Sequence, residues 1–163
     1  MIKKLIIPLV AAALFIVAVG IFIQKSGTWK PSVSPTPAPK TQVVIGEKII
    51  DVEVAKTNEE RERGLSGRTS LDVSSGMLFV FTEAGYTPKF WMKGMLIPID
   101  IVWIKDGKIV KIDKSVPVEK EGTPENKYKT YSAGSVNYVL EVNAGFCNTH
   151  KISVGDTVSI SGI

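Results

Sequence analysis

The sequence predicts a mainly β domain, a compact β-sandwich or small barrel with one or two short helices, preceded by an N-terminal transmembrane helix. Residues 5–23 form a run of 19 residues without a charge, close to the length that spans a bilayer. Seven or eight short runs rich in Val, Ile and aromatic residues then follow, separated by Gly, Pro, Asn and Asp. Such short strands with frequent turns are typical of small β domains.

Charge is distributed unevenly along the 163 residues. The first 40 residues contain five lysines and no acid, so residues 41–163 hold 15 basic and 16 acidic side chains. A nucleic-acid surface needs concentrated positive charge on the folded part, and we therefore expect no nucleic-acid partner. The single cysteine, Cys147, excludes an internal disulfide, and the single histidine, His150, excludes a multi-histidine metal site.

Residues 1–25 are predicted to be an uncleaved signal-anchor. Lysines lie on both sides of the apolar run, but a short basic start before such a run is typical of an N-terminus that stays inside. The alternative is a cleaved signal peptide with Ala18-Val19-Gly20 as its small-x-small site, although the run continues past it. The expected location is the cell membrane, with a single span and the C-terminal domain extracytoplasmic.

Residues 26–40 are predicted to be a linker. Four prolines alternate with small residues, a composition that favours extended polyproline II and cannot pack a core. The linker is expected to hold the domain, residues 41–163, away from the bilayer.

Two hairpins are predicted in the domain. Residues 42–45 and 48–55 flank Gly46-Glu47, and residues 99–104 and 108–112 flank a turn that contains Asp106-Gly107. Further strands are expected at residues 77–81, 138–142 and 157–160, with an extended stretch from residue 90. Residues 116–129 read as a long surface loop and residues 143–150 as a turn or one short helix.

The best helix candidate is residues 57–63. Asn58 is expected to cap its N-terminus and Gly64 to end it. Glu59 and Arg63 stand four residues apart, the spacing of an ion pair on one helix face.

Several motifs occur in a recognisable order. They are Arg63-Gly-Leu-Ser-Gly-Arg68, Gly76-Met-Leu-Phe-Val-Phe81, Phe90-Trp-Met-Lys-Gly-Met95, Ile97-Pro-Ile-Asp-Ile101 and Val139-Leu-Glu-Val-Asn-Ala-Gly145 with Val154-Gly-Asp156. In this order they resemble the DUF192 family, also called UPF0127, over residues 43–160. The resemblance implies a compact, mostly β fold, often behind a signal or membrane anchor. The family has no established activity, so the resemblance assigns no catalytic residue.

The chain departs from the family pattern at two places. It has Gly94-Met95 where the family often has Asn-Thr, and Gly64-Leu65-Ser66 where the family has Gly-Leu-Met. Any shared role that needs an amide or hydroxyl at residues 94 and 95 is therefore not expected here.

Asp100 lies in a run that is apolar on both faces, which predicts a buried strand. A lone carboxylate there is costly unless it is paired and hydrogen-bonded. Arg68 is the expected partner because a guanidinium matches a carboxylate, with Arg63 and Lys93 as alternatives. The interpretation we favour is an ion pair that fixes residues 66–71 onto the sheet, and the alternative is a ligand-facing site.

Glu141 is a second acid within an apolar strand. We expect each acid to be bonded to backbone groups or arginine. The alternative is that Glu141 and Asp100 form an acid/base pair of a hydrolase, which would need both carboxyls in one cleft.

The surface near Trp91 and Lys93 is the remaining candidate site. Phe90 and Met92 are expected to pack in the core, and alternation places Trp91 on the opposite face. The predicted function is a non-catalytic module that binds a small ligand or a protein partner, without a cofactor or metal. The candidate binding residues are Arg63, Arg68, Trp91, Lys93, Asp100 and Glu141.

Cys147 and His150 supply two metal-ligand types, but a zinc site needs three or four ligands. A Cys-His nucleophile would need an orienting acid as well. Neither is expected.

The first prediction concerns the N-terminal segment. Full-length protein should stay in the membrane fraction after salt and alkaline washes, because burial of about 20 apolar residues is effectively irreversible. Fractionation with N-terminal sequencing checks this result. A mature protein that begins at Ile21 would instead show a cleaved signal.

Overall fold

This computed structural model describes residues 40–83 and 85–163, and these residues form seven strands, two short α-helices and one 3-10 turn. In order they are β1 (Thr41–Ile45), β2 (Lys48–Ala55), α1 (Asn58–Arg63), β3 (Ser75–Val80), β4 (Ile99–Lys105), β5 (Lys108–Val116), a 3-10 turn (Glu125–Lys127), β6 (Tyr138–Asn143), α2 (Phe146–Thr149) and β7 (Val158–Ser161). The predicted anchor and residues 26–39 of the predicted linker lie outside the described residues. Within the described ranges, no helix is long and apolar enough to cross a membrane.

Both predicted hairpins are confirmed. Strand β1 pairs with β2 and strand β4 with β5, each through a two-residue loop. Asp106 and Gly107 have φ angles of +49° and +72°, and two positive φ values define the type I′ turn that matches strand twist. The predicted stretch from Phe90 is reduced to a single bridge with Tyr131.

All seven strands belong to one sheet, in the order β5-β4-β6-β3-β2-β1-β7. Only the β2–β3 pair is parallel, and α1 lies in its connection. The two edge strands meet at one end of the sheet, where Lys108 bridges Thr157 and the Ile109 amide donates to the Asp156 carbonyl at 3.0 Å. The fold is therefore a partial barrel. This confirms the predicted mainly β domain with short helices and favours the barrel over the sandwich, because the part of the chain that the structure describes has no second sheet.

Strands β3, β4 and β6 are buried on both faces. The inner face packs against β1, β7 and α2, and its cluster includes Val102, Leu140 and Phe146. The outer face is covered by connecting segments, and its cluster includes Phe79, Trp103 and Leu65. Apolar burial on two sides of the same strands explains why their sequences lack a clean alternation.

Asp100, which lies on the inner face of β4, is fully buried and held by backbone amides. Its Oδ1 atom accepts from the amides of Ser115 at 2.7 Å and Gly145 at 3.0 Å. Its Oδ2 atom accepts from the amide of Cys147 at 2.8 Å. These bonds fix the end of β5 and the start of α2 to β4. The three amides offset the cost of burying the Asp100 carboxylate, a role that the sequence predicted for an arginine.

The expected Arg68–Asp100 ion pair is therefore wrong. Arg68 instead binds Glu53 on the outer face of β2, with Nη2 donating to Oε2 at 2.6 Å. The two side chains are 34% and 59% exposed, so this is a surface pair. The hydrogen bond from Arg68 lowers the pKa of Glu53. A surface pair of this kind contributes little to stability.

The second prediction follows from these two arrangements. Asp100→Ala should lower the free energy of unfolding by about 3 to 5 kcal/mol, because one buried and two partly buried amides lose their acceptor. Arg68→Ala should cost less than about 1 kcal/mol. The double variant should be additive, since the two residues share no contact. Denaturant melts at neutral pH measure the free energy of unfolding of all three variants. A large coupling energy between the two substitutions would contradict this arrangement and support an Arg68–Asp100 ion pair.

Candidate functional site

One pocket opens on the outer face of the sheet, between α1 and the segment of residues 86–95. We call it the α1 pocket; its volume is about 270 Å³. That is near the lower end of the range for ligand sites. Its lining residues come from α1 and its C-terminal turn, from β3, from residues 86–95 and from β6: Asn58, Arg61, Glu62, Arg63, Gly64, Leu65, Ser66, Phe79, Phe81, Tyr86, Pro88, Lys89, Phe90, Trp91, Lys93, Met95 and Glu141.

The start and end of α1 are set by its capping residues. Thr57, not Asn58 as expected, is the N-cap: its hydroxyl accepts from the Glu60 amide, and the Glu60 carboxylate accepts from the Thr57 amide. Gly64 ends the helix as predicted, with a φ of +49°. A Cβ at Gly64 would lie 3.3 Å from the Phe79 ring, so glycine also permits the close approach of the helix end to the pocket wall.

Arg61 ties α1 to the sheet. Its Nη1 atom donates to the carbonyls of Lys56 at 2.7 Å and Val80 at 2.9 Å, and its Nη2 atom donates to Asn58. The guanidinium also lies 5.3 Å from the centre of the Phe81 ring. Arg61 is therefore a structural cation of the pocket wall. Sequence reasoning missed it, because its partners are carbonyls that no side-chain pattern reveals.

Aromatic rings form the apolar wall of the α1 pocket. Phe79 and Phe90 meet edge to face at 4.8 Å, and Phe81 stacks on Tyr86 at 5.6 Å. Phe90 also meets Trp103 at 5.4 Å, which connects the wall to the outer core. The expectation that Phe90 and Met92 pack in the core is confirmed.

Glu141 is the buried polar group of this pocket. It lies on the outer face of β6, paired with Met77 of β3 and Ile101 of β4, and it is 5% exposed. No described residue donates a hydrogen bond to its carboxyl group. Burial raises its pKa from 4.5 to about 8, so the protonated form dominates at neutral pH.

The rim of the pocket is held by the segment of residues 91–94. Trp91 is 41% exposed, and the Lys93 ammonium lies 5.2 Å from the centre of its indole ring. Lys93 also donates to Glu125 at 2.7 Å, which raises the pKa of Lys93. The Ser66 hydroxyl donates to the Lys93 carbonyl, and the Gly67 amide donates to the Gly94 carbonyl. These bonds fasten the rim to the turn after α1.

Arg63 is an uncommitted cation of the rim. It is exposed, and the expected pair with Glu59 is not formed: within the described ranges Arg63 makes no salt bridge and no side-chain hydrogen bond. It lines the α1 pocket and also the neighbouring depressions on either side of the turn after α1.

The structure brings together four of the six candidate residues, namely Arg63, Trp91, Lys93 and Glu141. Arg68 lines an adjacent depression with Glu53. Asp100 lies on the inner face of the sheet, where its neighbours across the ladder are those of the inner core. Asp100 and Glu141 therefore face opposite sides of one sheet. The acid/base pair considered for a hydrolase is wrong for that geometric reason.

Cys147 is part of the inner core and lies away from the α1 pocket. Its amide donates to Asp100, and burial, together with the nearby Asp100 carboxylate, raises the pKa of its thiol to about 12. His150 packs edge to face against Phe146 at 4.4 Å. Both residues thus have structural contacts at α2. A thiol with so high a pKa is a poor nucleophile.

Comparisons with known proteins match the domain. The model of family DUF192, described as an uncharacterized ACR, matches residues 41–160. A crystal structure of a candidate transcription regulator from Sinorhizobium meliloti 1021 is similar at a TM-score of 0.65 and 29% identity, covering 76% of this chain and 94% of that one. A protein of unknown function from Novosphingobium aromaticivorans DSM 12444 is similar at a TM-score of 0.64 and 26% identity, covering 81% and 94%. No protein with a curated description matches the chain.

The third prediction uses the pKa of Glu141. Because the folded-state pKa of Glu141 is raised above its unfolded value, the contribution of this group to the free energy of unfolding is fully present below about pH 4.5. That contribution is lost progressively as the pH rises towards about 8. Wild-type protein should therefore lose about 3 to 5 kcal/mol between pH 4.5 and 9 relative to Glu141→Gln, whose side chain does not titrate. Denaturant melts at both pH values measure the difference.

The matched control is Glu47→Gln, which removes an exposed carboxyl in the β1–β2 loop. It should follow the wild-type pH dependence. If the free energy of unfolding had the same pH dependence in the wild type and in Glu141→Gln, the raised pKa of a buried Glu141 would be contradicted.

Proposed function

The chain belongs to the DUF192 family, and from that premise we propose that its β domain is a non-catalytic module that binds a small molecule in the α1 pocket. The observation that carries the proposal is Glu141, a carboxyl group that is 5% exposed, lines the pocket and has no donor among the described residues. No fully buried side-chain oxygen of the described residues lacks a partner, so the carboxyl oxygens of Glu141 reach solvent through the pocket. A ligand that hydrogen-bonds to them would take the place of that solvent.

The walls of the pocket suit a ligand with an apolar body. Phe79 and Phe90 supply ring surface at depth, and Tyr86 and Trp91 supply exposed ring surface at the rim. A few polar groups among aromatic walls are typical of sites that orient a small molecule. A protein partner is the alternative occupant, and it would contact the exposed rim instead of the buried acid.

Catalysis has little support from the described residues. The two buried carboxyls occupy opposite faces of the sheet, so they cannot act on one bond. Asp100 is occupied by three amides and has a structural role. A single protonated acid in the α1 pocket is better suited to recognition than to acid/base chemistry, which needs a second positioned group.

The membrane location is part of the same proposal. Residues 1–25 would anchor the module, and residues 26–40 would hold residues 41–163 outside the cytoplasm. One structural neighbour is described as a candidate transcription regulator. We do not extend that role to this chain, because residues 41–163 carry 15 basic and 16 acidic side chains and offer no excess of positive charge for DNA.

The fourth prediction is a ligand screen. Thermal melts of the full chain in detergent micelles with a collection of small metabolites should find at least one stabilising compound. A ligand at 100 times its Kd adds about 2.7 kcal/mol to the free energy of unfolding. The stabilisation should shrink in Trp91→Ala and Glu141→Gln and persist in Glu47→Gln. Compounds that stabilise all variants equally would place the binding site elsewhere and contradict the proposal.

A further inference from the structure

Glu141 and Arg63 are two groups of opposite charge type in the α1 pocket that have no partner among the described residues. Glu141 is more than nine-tenths buried and has no donor there. Arg63 is exposed and forms no ion pair with any of them. Of the other cations in the lining, Arg61 binds carbonyls and Lys93 binds Glu125, while the exposed Lys89 also forms no ion pair with a described residue but lacks the fork of a guanidinium.

We propose that the α1 pocket binds a free amino acid or a similarly small zwitterion, with the ligand ammonium against Glu141 and the ligand carboxylate against Arg63. This inference rests on the proposed function and names the class of its ligand. Charge-assisted hydrogen bonds to both ends would satisfy both uncommitted groups at once. The guanidinium fork of Arg63 suits a carboxylate in particular.

The charges that face the pocket favour a zwitterion over a simple cation. Its titratable lining residues are Arg61, Glu62, Arg63, Tyr86, Lys89, Lys93 and Glu141. The strands on either side of Glu141 contribute Met77 and Ile101, which are apolar. Four cations and one exposed glutamate line the pocket besides Glu141, so a ligand carboxylate has cationic partners there that a ligand with only positive charge would leave unused.

The deep end of the pocket suits an ammonium. The rings of Phe79 and Phe90 line it together with Glu141, and aromatic faces attract cations. The cations of the wall do not contribute to the pKa of Glu141, which burial alone raises. A ligand ammonium would therefore be the close positive partner of this carboxylate. The volume of about 270 Å³ equals about nine water molecules at ~30 Å³ each, which is the scale of an amino acid.

Binding of an ammonium is coupled to a proton. At pH 7, about one unit below its pKa, Glu141 is protonated by about ten to one. The ligand ammonium pairs with the ionised form, so the carboxyl proton leaves to the buffer as the complex forms. Affinity should thus rise up to about tenfold per pH unit between pH 6 and 8. A ligand that instead accepts a hydrogen bond from the protonated acid gives no such rise.

The fifth prediction tests this class of ligand by titration calorimetry on the full chain in detergent micelles. The probes are the twenty standard amino acids and then, for the best binder, its N-acetyl derivative and its methyl ester. We expect at least one amino acid to bind and each derivative to bind at least tenfold more weakly. Titrations in buffers of different ionisation enthalpy should show release of up to one proton at pH 7.

The variants separate the two ends of the ligand. Glu141→Gln should lower the affinity at least tenfold and abolish the rise with pH, while Arg63→Ala should weaken binding of the amino acid but not of its methyl ester. The controls Glu47→Gln and Lys48→Ala change exposed residues outside the α1 pocket and should bind as the wild type does.

Three outcomes would overturn the inference: no amino acid binds at millimolar concentration, N-acetylation leaves the affinity unchanged, or binding takes up protons. These outcomes are distinct from failure of the proposed function. A metabolite without an amine that stabilises the wild type, and loses its effect in Trp91→Ala, would keep the α1 pocket as a binding site while the zwitterion is rejected. The ligand derivatives need no variant, so the test does not depend on the folding of Glu141→Gln.

Discussion

The fold depends on the burial of β3, β4 and β6 on both faces, which makes each polar side chain on these strands costly unless it has a partner or reaches solvent. Asp100 and Glu141 are the two acids subject to this constraint, and they meet it differently. Three amides surround Asp100, so its carboxylate fastens the end of β5 and the start of α2 to the sheet. Glu141 is given no donor by the described residues and opens into the α1 pocket. One buried acid is thus structural, and the other is available to a ligand.

The α1 pocket exists because the outer face of the sheet is covered by connecting segments and not by a second sheet. Loops and a two-turn helix cover a curved surface incompletely. The turn after α1 and residues 91–94 are held together by backbone and side-chain hydrogen bonds, which keep the rim in place. The aromatic residues of β3 then supply a wall without contributing polar groups. A site of few polar groups on a rigid sheet is suited to orienting a small molecule.

Local signals in the sequence predicted most of the strands, both hairpins and the end of α1. Asp106-Gly107 predicted its turn because few residues adopt two successive positive φ values. The closure of one sheet into a partial barrel was not accessible, because strand order depends on contacts between distant residues. The sequence identified Asp100 as a buried acid but suggested the wrong partner. Its donors are backbone amides, which every residue carries and no residue type reveals.

For the candidate site, sequence reasoning identified residue types better than it identified neighbours. Arg63, Trp91, Lys93 and Glu141 meet in one pocket although they come from three different segments. Arg68 and Asp100 were grouped with them because a carboxylate in an apolar strand needs a partner and a guanidinium matches a carboxylate. The alternation of strand side chains separates Asp100 from Glu141. The register that puts them on opposite faces is a property of the β4–β6 ladder and cannot be read from either strand alone.

The position of β1 in the sheet has a consequence for how the chain is made. This strand is the first that the structure describes, and it pairs with β7, the last described strand, as well as with β2. The inner core therefore stays incomplete until Val158 has left the ribosome and reached β1. Contacts of such long sequence separation form slowly, since loop closure precedes any gain from pairing. With the domain outside the cytoplasm, as proposed, the chain would then cross the membrane unfolded and fold only on the far side.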